Sequence, residues 1–292
     1  MEREEAKSLG YASAAVLIWS TVATAFKLAL REMSPEQVIF IASGVSLLFF
    51  MVYLAFIGQY KLLFQVTGKE LRWSALTGAL NPFAYYLILF KAYSLLPAQL
   101  AQPLNMIWPF TLALLSVPML KQKITGKQFA ALGVSFAGIV ILTSQGSFDG
   151  FKSTSFPGIF LALGSSVFWA LYWILNVKDH RPEAIKLFFS FLFGFLYLLL
   201  YLALWGKFKF PASLSLWASI YTGLFEAGIT YLLWMKAMQL SRNNAVTGSL
   251  VYITPFISLL IISGVLGEKI LGTTVAGLVL IVSGILVQQI NR

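Results

Sequence analysis

The sequence contains no cysteine and a single histidine, His180, in 292 residues. Those absences exclude a disulfide framework, thiol chemistry and a metal centre built from clustered Cys or His. Charge is scarce as well: Asp, Glu, Lys and Arg make up 11% of the chain, against about 25% in an ordinary soluble domain. No glycine-rich phosphate loop of the G-x-x-x-x-G-K-[S/T] kind occurs, which removes ATP-driven pumping from consideration.

What is present is apolar surface, 59% of all residues, with aromatic residues at 15%. Such a chain cannot cover itself with polar groups in water, so its solvent is a bilayer. The net charge of +10 is dispersed between apolar stretches and forms no stripe; this patterning reads as membrane topology and not as nucleic-acid binding. The first residues, Met1 to Lys7, are rich in acid, so the first apolar stretch is expected to be a permanent membrane helix and not a cleaved signal.

A membrane helix needs about 20 largely apolar residues to cross roughly 30 Å of hydrocarbon. Charges punctuate the sequence at that interval and predict spans over 9–30, 37–58, 72–94, 98–119, 127–145, 156–177, 186–205, 214–238, 244–266 and 270–289. The links are too short to house a soluble catalytic domain. On the side of the termini fall Arg3, Lys7, Lys61, Lys69, Arg72, Lys121, Lys123, Lys127, Lys178, Arg181, Lys186, Arg242 and Arg292. On the other side fall only Arg31, Lys152, Lys207, Lys209 and Lys269. The positive-inside bias therefore predicts both termini in the cytoplasm.

The chain also resembles itself at a shift near half its length. Thr77, Gly78, Tyr86, Leu87, Lys91, Ala92 and Leu95 recur 145 positions later as Thr222, Gly223, Tyr231, Leu232, Lys236, Ala237 and Leu240. Ile107, Pro109 and Phe110 recur 146 positions later as Ile253, Pro255 and Phe256, and Trp19 recurs 150 later as Trp169. The repeats are placed at 1–150 and 151–292. Five helices per repeat is an odd number, so the second copy runs upside down. The expected fold is an all-α polytopic membrane protein, ten helices in two inverted five-helix repeats around a central cavity. Inverted repeats give alternating access a physical basis, since two similar halves can exchange conformations about a midplane site.

The sequence carries, in order, Trp19-Ser20-Thr21 with Lys27, the stretch Tyr86 to Ala92, the prolines Pro109 and Pro255, and the turn Gly267-Glu268-Lys269. By these the sequence resembles the drug/metabolite transporter superfamily, in particular bacterial ten-helix members with two EamA-type repeats, and is similar to amino-acid exporters of that group. The resemblance implies a cavity lined by helices 1, 3, 4, 6, 8 and 9, with helices 5 and 10 outside. It implies proton-coupled or gradient-driven movement of small metabolites, often amino acids and commonly outward, across a bacterial or archaeal inner membrane. One departure is Gln122 where the second repeat has Glu268, which reads Glu268 as a turn feature.

Among single residues Glu226 is the sharpest candidate, being the acid deepest inside a span. A charged, unpaired carboxylate there costs several kcal/mol. It reads as a proton site, as an anchor for a substrate amine, or as a structural partner of Lys91 or Lys27. Its repeat partner is Asn81, followed by Pro82, a polar pair at equal depth that is asymmetric in charge. Lys91 and Asn105 are further candidates for the pathway, and Pro82, Pro109 and Pro255 for kinks in moving helices. Trp19, Trp108, Trp169, Tyr172 and Tyr252 (with Trp173) lie near mid-span, away from the interfacial belts where such rings usually gather. They suit an apolar or aromatic substrate, or the packing of the core. Small-residue faces at Ala131, Ser135 and Gly138, and at Gly277 and Gly284, read as close helix contacts. No catalytic constellation, cofactor or metal is expected. The expected partners are a small-molecule substrate, lipid and a proton as candidate coupling ion, with no nucleic acid, in a monomer or weak dimer. The competing reading is a broad-specificity multidrug or amine efflux protein, or a channel-like facilitator, of the same fold.

Overall fold

A computed structural model describes residues 2–120, 126–145, 155–206, 213–241, 247 and 250–290. Its helices are α1 (Glu2–Ala29), α2 (Pro35–Phe56), α3 (Gly68–Gly78), α4 (Tyr85–Leu95), α5 (Ala98–Asn105), α6 (Trp108–Leu120), α7 (Gly126–Ser144), α8 (Phe156–Val177), α9 (Glu183–Trp205), α10 (Leu214–Tyr221), α11 (Thr230–Leu240), α12 (Thr254–Leu266) and α13 (Gly272–Ile290). They form ten spans, because α3 and α4 make one broken helix, as do α5 and α6, and α10 and α11; a short 3-10 turn, Leu250–Ile253, precedes α12. Among the described residues there is no strand. Large apolar side chains such as Phe56, Phe160, Trp205, Trp217 and Leu260 are exposed on the outside, where lipid is their solvent.

The spans begin where the sequence supplies caps. Ser34 and Gln37 make a capping box ahead of α2, with Pro35 at its first position. Thr67 and Glu70 do the same for α3, the Glu70 carboxylate accepting from the Thr67 amide at 2.7 Å. These hydrogen bonds hold the exposed Glu70 carboxyl below the usual carboxylate range. α9 starts at Glu183, earlier than the expected 186, so Lys186 is not a free connector charge. It is buried in the first turn, 2.8 Å from Glu183.

Packing follows the inverted repeat. The first helix of each half lies against the third and fourth spans of the other: α1 on α11 and α12, α8 on α4 and α6. The second helix of each half lies on the third span of the other, α2 against α10 and α9 against α3. Two repeat-matched glycines permit those last approaches. A Cβ on Gly78 would sit 2.6 Å from the Ser190 carbonyl, and one on Gly223 would overlap the Ala42 carbonyl. Matched hydroxyls pin the same contacts, Thr77 to Ser190 at 2.8 Å and Ser46 to the Gly223 carbonyl at 2.8 Å. The close helix contacts expected at the two small-residue faces are seen, and the faces meet each other. α7 and α13 cross so closely that a Cβ at Gly138 would lie 2.7 Å from the Gly277 carbonyl. That pair stands outside the ring that encloses the central cavity.

Three spans are interrupted, two of them beside prolines expected to mark kinks, Pro82 and Pro109. The third and eighth open into wide turns, Ala79–Ala84 and Thr222–Ile229, and the fourth breaks at Met106 and Ile107. Asn81 has extended backbone (φ −147°, ψ 122°) within the first of these turns, beside Pro82. Pro255 occupies one of the first two positions of α12, and the backbone of Pro109 falls in the first turn of α6. A proline's missing donor costs nothing at a helix start, so these two begin new helical segments instead of bending continuous ones. The Pro109 side chain and Gln122 lie outside the described residues.

Candidate functional site

The central cavity is lined from six spans. α1 contributes Trp19, Val22, Ala23 and Phe26; α4 contributes Tyr85, Leu89 and Tyr93; α5 contributes Gln102 and Asn105. Met106, Trp108, Trp169, Trp173, Glu226, Trp234 and Val251 complete it. These come from spans 1, 3, 4, 6, 8 and 9, the set implied by the family resemblance.

Glu226 reaches the wall because the wide turn Thr222–Ile229 interrupts its helix at mid-span; such turns recur at functional sites. The residue is buried, and Oε1 accepts from the Tyr86 hydroxyl at 3.2 Å. Trp19 stands beside this carboxylate, and Oε2 has no hydrogen-bond partner among the described residues. Glu226 is the one charged side chain among the described lining residues. A single acidic group with spare acceptor capacity, enclosed by indoles and phenols, is chemically matched to a cation. The carboxylate supplies opposite charge, and the ring faces attract cations within about 6 Å.

The aromatic wall is continuous. Trp169 lies 4.7 Å from Tyr85, 5.8 Å from Trp173 and 6.4 Å from Trp108, ring centre to ring centre. Trp19 meets Trp234 at 5.2 Å. Asn105 ties this wall to α8: it accepts from the Tyr85 hydroxyl at 3.3 Å and donates to Ser165 Oγ at 2.8 Å.

The structure thus gathers Trp19, Asn105, Trp108, Trp169 and Glu226 around one space. Asn81 and Tyr172 stand behind the wall, both buried, and Tyr172 packs on Trp169 at 5.9 Å. The Asn81 amide has no hydrogen-bond partner within bonding distance among the described residues and faces the phenols of Tyr172 and Tyr231. Tyr252 is buried in the 3-10 turn, next to the lining residue Val251. Lys91 is exposed on α4 and does not line the cavity. Lys27 is committed elsewhere, its Nζ donating to the carbonyls of Tyr93 and Leu96 at 2.9 Å each.

Sequence reasoning missed Tyr85, Tyr93, Gln102 and Trp234. Tyr85, Leu89 and Tyr93 are spaced four apart and share one helical face, a signal that pointed to the cavity. Trp234 lies inside α11 and carries no such spacing signal.

At the end of the bundle away from the N-terminus the cavity is shut by Phe26, which meets Phe90 at 4.4 Å and Tyr93 edge-on at 5.3 Å. All three are buried. Toward the N-terminal end, where Ser8 bonds the Ala237 carbonyl, the lining residues Trp108, Trp173 and Trp234 are half-exposed.

Known proteins share this sequence pattern and fold. The chain is 28% identical over 188 residues to the uncharacterized transporter YyaM of Bacillus subtilis, covering 61% of this chain and 60% of that protein. It is 23% identical over 175 residues to an uncharacterized transporter of Archaeoglobus fulgidus, covering 57% and 59%. The matched region thus spans about three fifths of each relative's length. A crystal structure 20% identical in sequence superposes with a TM-score of 0.70 over 97% of this chain and 96% of its own, which shows the shared fold. The pattern of the EamA-like transporter family matches residues 6–144 and 156–288, one match per half, so this integral membrane protein belongs to the EamA-like transporters of the drug/metabolite transporter superfamily.

Proposed function

We propose that the protein is a secondary carrier for a small organic substrate bearing a protonated amine, such as an amino acid, aromatic ones included. The observation that supports this is the lone buried carboxylate of Glu226 in a cavity walled by tryptophan and tyrosine. Bound amine restores the charge balance of the buried site, and a proton on Glu226 does so when substrate is absent. Either occupant makes the carboxylate tolerable at membrane depth. Movement then follows from rocking of the two repeats, 1–150 and 151–292, about the cavity. Family resemblance points to export across a bacterial or archaeal inner membrane, and the distribution of basic residues supports cytoplasmic termini. The working unit is a monomer or weak dimer.

A second reading has its own support. No cationic side chain is among the described residues lining the cavity, so the carboxylate of an amino acid would lack an ionic partner there. A simple amine or quaternary cation would leave no such group unpaired, as in a broad-specificity amine efflux protein. Counterflow in liposomes separates the readings. Saturable exchange of aromatic amino acids supports the first; exchange of their decarboxylated amines, with the amino acids inert, supports the second. Uptake proportional to concentration for every compound, with no competition, identifies a channel-like facilitator and overturns both.

A further inference from the structure

The turn between α4 and α5, at the closed end of the cavity, is gripped from both sides by opposite charges. Lys27 Nζ donates to the carbonyls of Tyr93 and Leu96, each at 2.9 Å, where α4 ends and its last carbonyls lack helical partners. Glu268 reaches the other side from the second half of the chain. Its Oε1 accepts from the Ala98 amide at 2.9 Å and its Oε2 from the Gln99 amide at 3.1 Å, the first two amides of α5. Cation at a helix C-terminus and carboxylate at an N-terminus are the favourable pairings with the helix dipoles, and the two charges also attract each other. Thr274 adds a hydrogen bond to the Gln99 side chain at 3.3 Å.

This turn carries part of the cavity's closed end. Tyr93 precedes it, Gln102 follows it, and both line the cavity; Phe26, next to Lys27, packs on Phe90 and Tyr93. Lys27 and the turn belong to the same half, so the hydrogen bonds that cross between halves here are those of Glu268 and Thr274 with α5. The device is also one-sided in sequence. The repeat matches Glu268 with Gln122, and Lys27 with Val177 (27 + 150), so neither charge recurs at the opposite end. A residue that reads from sequence as a turn feature is thus a bridge between halves.

We propose that Glu268 and Lys27 form a latch that keeps the cavity closed at this end, and that parting of Glu268 from α5 is the step that opens it. The proposal rests on the carrier reading for its purpose, and its test does not depend on transport. The chain has no cysteine of its own, so Gln102→Cys supplies a single reporter. A membrane-impermeant maleimide is applied from the Ala29 side, and labelling is followed in the Gln102→Cys chain alone and with Glu268→Gln or Lys27→Gln. Loss of either charge is expected to raise the labelling rate roughly tenfold or more, from loss of charge-assisted hydrogen bonds. Unchanged rates in both folded variants overturn the latch. Hydrogen exchange on the unmodified chain gives an independent reading. Amides at a helix start have no helical acceptor, so slow exchange at Ala98 and Gln99 supports the latch and rapid exchange there overturns it. A variant that labels faster, in a protein that exchanges no solute in liposomes, leaves the latch standing and removes the carrier reading.

Discussion

Asn81 and Glu226, matched by the internal repeat, occupy the two wide turns that interrupt the third and eighth spans. Asn81 lies in Ala79–Ala84 and Glu226 in Thr222–Ile229, and both side chains are buried. The two halves share a backbone interruption at equal depth and differ in the charge placed there. Glu226 lines the cavity while Asn81 stands behind its wall, so the asymmetry concerns what the halves offer a substrate.

Replacing Glu226 by Gln keeps the side chain's size and removes its charge. Counterflow of amine substrates by Glu226→Gln is expected to fall by roughly a hundredfold, since a buried charge pair contributes on the order of 3 kcal/mol. Thermal unfolding without substrate should hold, because Gln matches the size and hydrogen-bonding capacity of the protonated carboxyl. Undiminished amine exchange by the variant would remove Glu226 from the site.

Trp169 touches Tyr85, Tyr172, Trp173, Trp108 and Tyr231 and stands at the centre of the aromatic wall. Trp169→Ala is expected to weaken half-saturation by about tenfold, from loss of one cation–π face. Trp169→Phe should lose less, because a ring face remains. Equal effects of the two on concentration dependence would show that the ring packs the core without meeting substrate.

Much of the bundle was legible in the sequence, because the bilayer imposes a length on every span and the repeat fixes how many there are. Glu226 was legible for a related reason: an acid at mid-span has few structural uses. Prolines marked where the third and fourth spans break, but not the form of each break, since membrane helices tolerate proline with or without interruption. Lys91 and Lys27 show where reasoning from depth fails. Both sit near helix ends, yet one is exposed and the other grips the turn after α4; only the facing of each helix separates them. Glu268 does lie in a turn, but its partners were not legible, because the amides of Ala98 and Gln99 lie about 170 residues away in the chain.

The link between α8 and α9 carries a pH-dependent clasp. Burial alone would raise the Asp179 carboxyl, but the hydrogen bonds and charge of Arg181, with Lys186 nearby, outweigh it and hold the group below the usual carboxylate range. Arg181 in turn donates to Ser74 Oγ at 2.7 Å, tying the link to α3. Because the folded value is depressed, the stabilisation is present above the ordinary carboxylate value of about 4 and is lost as pH falls through the folded one. Thermal unfolding of the purified protein should therefore show no Asp179 contribution to pH dependence between neutrality and pH 5, and a decline at lower pH. Asp179→Asn should lower stability at neutrality by roughly 1–3 kcal/mol and lose that part of the acid decline. A variant with the parent's stability and acid profile would show that the clasp contributes nothing.

The glycines Gly78 and Gly223 test whether the two halves are held by equivalent contacts. At each, an added methyl group would meet a backbone carbonyl of a neighbouring helix, Ser190 for Gly78 and Ala42 for Gly223. Backbone atoms cannot swing aside as a flexible side chain can, so the helices must part. Gly78→Ala and Gly223→Ala are each expected to destabilise by about 1–3 kcal/mol, the usual cost of overpacking, and to do so by similar amounts. Gly264→Ala is the control. It lies on the exposed face of α12 with open space around its Cβ position, where alanine favours the helix. Its unfolding temperature should hold or rise. A loss at Gly78 without a loss at Gly223 would mean that the packing between halves is not symmetric, and that one crossing alone carries the assembly of the bundle.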